Sequence, residues 1–292
     1  MTKNEKLDIL TSNLKEFRAR SNIANEQRAL TLSEIARTLC EDNEGETLSE
    51  ILRKYAEFTE ECSPADSIIL CRELLLRKRS ADELKRITAI GDGEDASAGT
   101  HGKIAYPKNK FNDAAFEHLS LAVSTPRAVY TSSINGACEA VAEGSCEFCI
   151  LPIENSLDGK LFGFYSLLDR FELKICAVCD IEGDGDSHIR YALIGRSCRE
   201  PIERVAKSTP FVLEFFVLDS NGDFLDGLLS AARACKAQLL SIDARPVPYD
   251  TQSQKFILSF RVSGSDSLLL RTFLTLYYDS YSPIGLYPYI QN

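Results

Sequence analysis

Apolar residues recur at helical spacing through the first part of the chain. Leu7, Leu10, Leu14 and Phe17 fall three or four positions apart, and Leu30, Leu32, Ile35 and Leu39 carry the stripe onward, as one face of a helix requires. No Pro or Gly interrupts the chain before Gly45. A helix over 7–40 would run roughly 50 Å at about 1.5 Å per residue. One small core cannot cover that length, so the pattern predicts a bundle or a dimer. A second helix is predicted from Thr47 ("TLSEILRKYAEF"). A third follows "CSPADS", where Ser63 suits the cap and Pro64 the first turn. Its apolar face is Ile68, Ile69, Leu70, Leu74, Leu75 and Leu76, and the basic run "RKR" (77–79) closes it. Cations at that end are solvated and favoured by the helix dipole. The small, acidic, Gly-rich "GDGEDASAGTH" (91–101) reads as a linker.

Beyond the linker the periodicity changes. Residues 102–200 alternate strand text ("GKIAYP", "RAVYTSS", "CEFCILPI", "LKICAVCDI", "IRYALIG") with helical text ("NDAAFEHLSLA", "INGACEAVAEG", "FGFYSLLDRF"), which predicts an α/β layer. Residues 210–292 read strand, helix, strand, strand, helix and a closing strand ("PIGLYPYI"), the order of a ferredoxin-like unit. The fold class expected is therefore α+β with several domains: a helical domain over 1–88, an α/β lobe over 102–200 and a ferredoxin-like domain over 210–292. A length of 292 residues fits two or three domains.

Composition narrows the partners. Lys plus Arg number 33 against 43 Asp plus Glu, a net charge of −10. Nucleic acid is thereby excluded as the main partner, because phosphate binding needs a basic footprint. No apolar run reaches membrane-spanning length, and "MTKNEKLDIL" lacks the apolar core of a secretory signal. The cytoplasm is the expected location, with no membrane partner. Ten cysteines include two CxxC spacings, Cys146/Cys149 and Cys176/Cys179. Both fall in strand text, where positions i and i+3 point to opposite faces and cannot easily close on one ion. They are read as small core residues, and neither a metal nor a cofactor is expected.

The stretch "ILPIENSLDGKLFG" (150–163) breaks from an apolar strand into a polar turn. Its "PIENS" string follows a helix ending "AVAEG" and precedes Gly159. Here the chain resembles the prephenate dehydratase family. The family's opening turn, YxGPxGTFSxxAA, is similar to "AYPKNKFNDAA" (105–115), with Pro107, Phe111, Ala114 and Ala115 matching and Tyr106 and Asn109 in place of its two glycines. Further on, "NGDFLDGLL", "SIDARP" (241–246) and "IGLYP" (284–288) resemble landmarks of the family's regulatory ACT domain. Residues 1–88 resemble, in pattern only, the chorismate mutase domain of bifunctional members. Arg28 lies near an expected cation position, while Gln27 and Thr38 stand where cations are expected.

The resemblance implies catalytic positions at Glu154, Asn155, Ser156, Ser133 and Arg190. It implies ligand-binding positions at Asn221, Gly222, Asp223, Phe224, Leu225 and Arg245, with L-phenylalanine or another aromatic amino acid as ligand and a second copy of the chain as partner. The family places its reaction between two α/β lobes, and a Thr in an NxTRF motif is the expected acid. "SHIRYALIG" (187–195) keeps Arg190 but has Ile189 in place of that Thr, and the short stretch from Ser156 to Arg190 leaves no room for a second lobe. His188 is the other acid in reach. Three readings are open at this point. The chain is a catalytically degenerate, aromatic amino acid-sensing relative. Or it is an active dehydratase, converting prephenate to phenylpyruvate, water and CO2, whose cleft a dimer partner completes. Or it is an assembly protein.

Overall fold

The computed structural model describes residues 3–43, 50–51, 63–77, 101–161, 163–183, 187–198, 201, 204–205, 210–219, 224–247, 250–278 and 280–290. Most of the helix expected from Thr47, the basic run beyond Arg77, nearly all of the 91–101 linker, and Asn221, Gly222 and Asp223 lie outside the described residues. The chain divides into two compact units, Met1–Leu84 and Lys85–Asn292.

In the first unit α1 (Lys3–Asp42) is longer than its apolar stripe alone suggested, and α2 (Pro64–Arg77) packs on it. Leu32 and Ala36 of α1 are buried, as are Ile68, Leu70, Cys71 and Leu74 of α2. Polar bonds edge this contact. Arg28 pairs with Asp66 and donates to Ser63 Oγ at 2.6 Å, and Ser33 joins Glu73 and Arg77, each at 3.0 Å. The Arg28 hydrogen bond holds the Asp66 carboxyl below the usual carboxylate range. The other half of the α1 stripe stays open, with Leu10, Leu14 and Phe17 50–64% exposed.

The second unit is built on one ten-stranded sheet. Its strands are β1 (Lys103–Pro107), β2 (Arg127–Thr131), β3 (Phe148–Asn155), β4 (Gly159–Lys160), β5 (Lys174–Glu182), β6 (His188–Gly195), β7 (Phe211–Asp219), β8 (Gln238–Val247), β9 (Asp250–Val262) and β10 (Ser282–Ile290). The order is β2-β1-β3-β6-β5-β10-β7-β9-β8, with β4 folded back on β3. β1 pairs in parallel with β2 and β3, while β6 runs antiparallel to both β3 and β5. The last four strands, β10-β7-β9-β8, are all antiparallel and have the βαββαβ ferredoxin-like arrangement.

The sheet runs unbroken across the boundary between 102–200 and 210–292, because β10 pairs in parallel with β5. Gly285 makes this junction possible. A Cβ at that position would lie 2.5 Å from the Ile175 carbonyl oxygen, a contact no side chain tolerates.

Helices cover the two faces unequally. On one side lie α4 (Ile134–Ala142) and α5 (Gly163–Phe171), whose Cys138, Val141, Phe164 and Leu168 share a core with Cys149, Leu151, Ile194 and Ile284. On the other lie α3 (Lys110–Leu119), α6 (Phe224–Ala234) and α7 (Gly264–Tyr277). Phe116 of α3 packs on Tyr106, and Phe224 of α6 packs on Phe256, with ring centroids 5.5 and 5.1 Å apart. Period-two alternation along β7 and β9 then sends Leu213, Phe215 and Phe260 toward α6 and α7, and Val212, Glu214, Ser259 and Arg261 to the opposite face. Tyr165 of α5 and Val205 reach that face, and a cavity opens there. Among the described residues no helix is long and apolar enough to cross a membrane.

Candidate functional site

The polar turn after β3 is a hairpin onto β4, with Glu154 opposite Lys160 and Asn155 opposite Gly159. Gly159 has φ +77°, a left-handed conformation that suits glycine. Asn155 Oδ1 accepts the Leu157 N–H at 3.1 Å, and its Nδ2 donates to Asp158 at 3.0 Å. The Ser156 N–H donates to the His188 carbonyl, and the His188 N–H donates to Ser156 Oγ, both at 3.0 Å. His188 itself is exposed. Glu154 forms an ion pair with Arg190, its register neighbour on β6. Arg190 also binds Asp180 at 3.0 Å and the Tyr289 hydroxyl at 3.1 Å. Burial works against the Arg190 charge, but hydrogen bonds and charge from Asp180 and Tyr289 outweigh it and raise the pKa. Ile189 stands opposite Asn155 and Ile181 and offers no hydroxyl.

Ser133 is separate from this group. It caps α4, accepting the Gly136 N–H at 3.0 Å, the usual work of an N-cap serine. Asn109 caps α3 in the same way from an extended backbone (φ −160°), accepting from Phe111 and Asn112. The second family glycine is thus replaced without backbone strain. The first gives way to Tyr106, whose buried ring meets Phe116 and Tyr130.

The described ligand-binding candidates do not converge. Phe224 sits against Phe256 and Tyr278 on the helix-covered face, and Leu225 is half-buried beside it. Arg245 stands opposite Lys255 on β9, on the other face, with its guanidinium 6.0 Å from the Tyr165 ring.

That other face holds a cavity of about 850 Å³, which Glu154 and Arg190 line together with residues sequence reasoning did not single out. Glu214, 3% exposed, accepts hydrogen bonds from the Tyr165 hydroxyl (2.8 Å), the Tyr287 hydroxyl (2.9 Å) and Ser259 Oγ (3.1 Å). Burial first, and the Glu214 charge second, push both phenols upward, so they stay protonated donors. Lys160 donates to Ser241 at 3.0 Å and pairs with Asp243. A lone Glu inside the apolar run "FVLEFFVLD" was the available signal: a carboxylate placed mid-strand needs partners.

Residues 107–210 match the family model for prephenate dehydratase. The match spans about a third of the chain, and over that segment the chain is similar to prephenate dehydratases. Among solved structures, prephenate dehydratase from Streptococcus mutans is similar at 19% identity and TM-score 0.54, over 65% of this chain and 99% of that one. At that identity the likeness is one of fold. The Arthrobacter aurescens prephenate dehydratase in complex with L-Phe aligns at 14% identity and TM-score 0.48, over 64% of this chain and 90% of that one. GqqA, described as a novel type of quorum quenching acylase, aligns at 15% identity and 0.48, over 64% and 94%. Neither of the last two carries a conclusion about this chain. A comparison with curated proteins gave no match.

Within the prephenate dehydratase segment the two CxxC pairs part company. Cys149 shares a hydrogen bond with Cys138 of α4, and Cys176 lies 3.0 Å from Cys198. Among the described residues no His, Cys, Asp and Glu group has a metal-holding arrangement. Burial pushes Cys149 and Cys176 well up and Cys179 to about 12. The thiolate is the reactive form. A thiol reagent at pH 8 is therefore expected to label half-buried Cys40 first among the described cysteines. These three should react only after denaturant is added. Rapid labelling of Cys176 in the native protein would contradict the burial argument.

Proposed function

We propose that this chain is a catalytically degenerate member of the prephenate dehydratase family and senses an aromatic amino acid, L-phenylalanine first, through an ACT-type domain over 210–292. The observation that carries the reading is how the "PIENS" turn spends its polar groups. Asn155 and Ser156 close the hairpin and tie it to His188. Glu154 neutralises Arg190, and Ile189 replaces the hydroxyl. β5 passes to β6 through the short stretch 183–187, with no second lobe between them. Prephenate dehydration needs a proton donor for the departing hydroxyl and walls that exclude water, and this arrangement supplies neither. The sensing half of the reading rests on the ACT landmarks at 241–246 and 284–288, with the 221–223 loop as ligand seam. Incubating the full chain with prephenate and following phenylpyruvate tests the first half. Calorimetry with phenylalanine, tyrosine and tryptophan tests the second, and no heat with any of them would sink it.

Residues 1–88 in this reading are a chorismate-mutase-like helical domain kept for pairing. Arg28 is held by Asp66 and Ser63 rather than directed at a substrate dianion. The exposed Leu10, Leu14 and Phe17 continue the face that α2 covers further along, and a second copy is their expected cover. The full chain should sediment as a dimer or larger. The double variant Leu14→Glu, Phe17→Glu should shift it toward smaller species, and an unchanged sedimentation profile would remove the N-terminal contact from the account.

A further inference from the structure

The cavity on the α5 side of the sheet carries an unusual pair of charges. Glu214 is buried among three neutral hydroxyls and has no cation partner among the described residues. Of the cations nearby, Lys160 is paired with Asp243 and Arg190 with Glu154 and Asp180, while the Arg245 guanidinium lies 6.0 Å from the Tyr165 ring. A carboxylate offers roughly four acceptor positions, so one remains for a donor arriving from the cavity. Arg261 lines the same cavity. It bonds only Gln238 Oε1, at 3.2 Å, and has no carboxylate partner among the described residues.

Strand register fixes their relation. Ser259 lies opposite Glu214, and Arg261 lies opposite Val212. Glu214 and Arg261 are therefore diagonal neighbours on one face, typically about 7–8 Å apart at the backbone, yet they form no ion pair. An ammonium and a carboxylate on the same carbon, each with a charge-assisted hydrogen bond of about 2.8 Å, span a gap of that order. Around them the walls are apolar and aromatic: Tyr165, Tyr287, Val212, Leu240 and Ile290. Mostly apolar walls with a few convergent polar groups are the mark of a small-molecule site, and about 850 Å³ falls in the range of such sites.

We propose that this cavity binds an α-amino acid with a large apolar side chain, its ammonium on Glu214 and its carboxylate on Arg261. A carboxylate lacking the ammonium would set its charge against Glu214 with nothing to offset it, and a phosphate would do so twice over. A bare amine would leave Arg261 unmet. The inference rests on and deepens the sensing role proposed above, and assigns it to residues other than 221–223.

The test is calorimetry on the full chain with L-phenylalanine and L-leucine, beside 3-phenylpropionate, which lacks the ammonium, and phenethylamine, which lacks the carboxylate. At least one amino acid should bind, and each truncated analogue should bind at least tenfold more weakly. Arg261 is exposed, so Arg261→Gln should fold, as circular dichroism would verify. It should weaken the amino acid at least tenfold and leave phenethylamine unchanged, a split that a merely structural role would not produce. Amino acid binding that Arg261→Gln leaves intact overturns this inference and leaves the sensing role with the 221–223 loop. No binding to the folded wild-type chain overturns both.

Discussion

Glu214→Ala is expected to destabilise the second unit by about 3–5 kcal/mol, since each buried donor left unsatisfied costs roughly 1–3 kcal/mol. Three hydroxyls lose their acceptor. Ser259 can turn toward Ser241, whose Oγ lies 3.3 Å away. Tyr165 and Tyr287 have no such alternative in the network, because both converge on the same carboxylate from different elements. Glu214→Gln keeps the shape and one acceptor oxygen, so its cost should be less than half as large. Urea unfolding, read as a midpoint shift at constant slope, would measure both. A loss below about 1 kcal/mol for the alanine variant, the net worth of an ordinary hydrogen bond, would show that the network is incidental.

Arg190→Ala should be the next most damaging change. Glu154, Arg190 and Asp180 stand in one register row across β3, β6 and β5, so the arginine separates two carboxylates. Removing it leaves like charges flanking a small side chain on a partly buried surface. Breaking a fully buried pair typically costs 3–5 kcal/mol, but these side chains are about 30% exposed. Solvent screening brings the expectation to about 2–3 kcal/mol. Arg190→Lys keeps the charge but cannot reach Asp180, Glu154 and Tyr289 together, and should fall between the two. Unchanged stability in Arg190→Ala would mean that the row contributes nothing to joining the strands.

Most of this architecture was written in local pattern. Short apolar runs marked β1, β3, β5, β6, β7 and β9, and "INGACEAVAEG" and "FGFYSLLDRF" marked the helices beside them, because apolar runs and amphipathic spacing are properties of a few consecutive residues. The "PIENS" string was equally local and led to the family. What local text could not show is which distant strands meet. The β5–β10 pairing that joins the two parts of the sheet depends on Gly285 approaching Ile175, and only the folded register shows that requirement. The Glu214 network was hidden for the same reason, since its donors come from α5, β9 and β10. Ser133 shows the converse. A small polar residue read as part of a site is occupied as a helix cap, and the sequence "SSINGA" suited both roles.

The central claim is that the "PIENS" turn now holds β3 to its neighbours and no longer acts on a substrate. The most direct measurement is phenylpyruvate formation from prephenate by the purified full chain. The account predicts no release above the uncatalysed rate, because Ile189 supplies no acid and Glu154 and Arg190 neutralise each other. Robust turnover, abolished by Asn155→Ala in a protein that still folds, would contradict it.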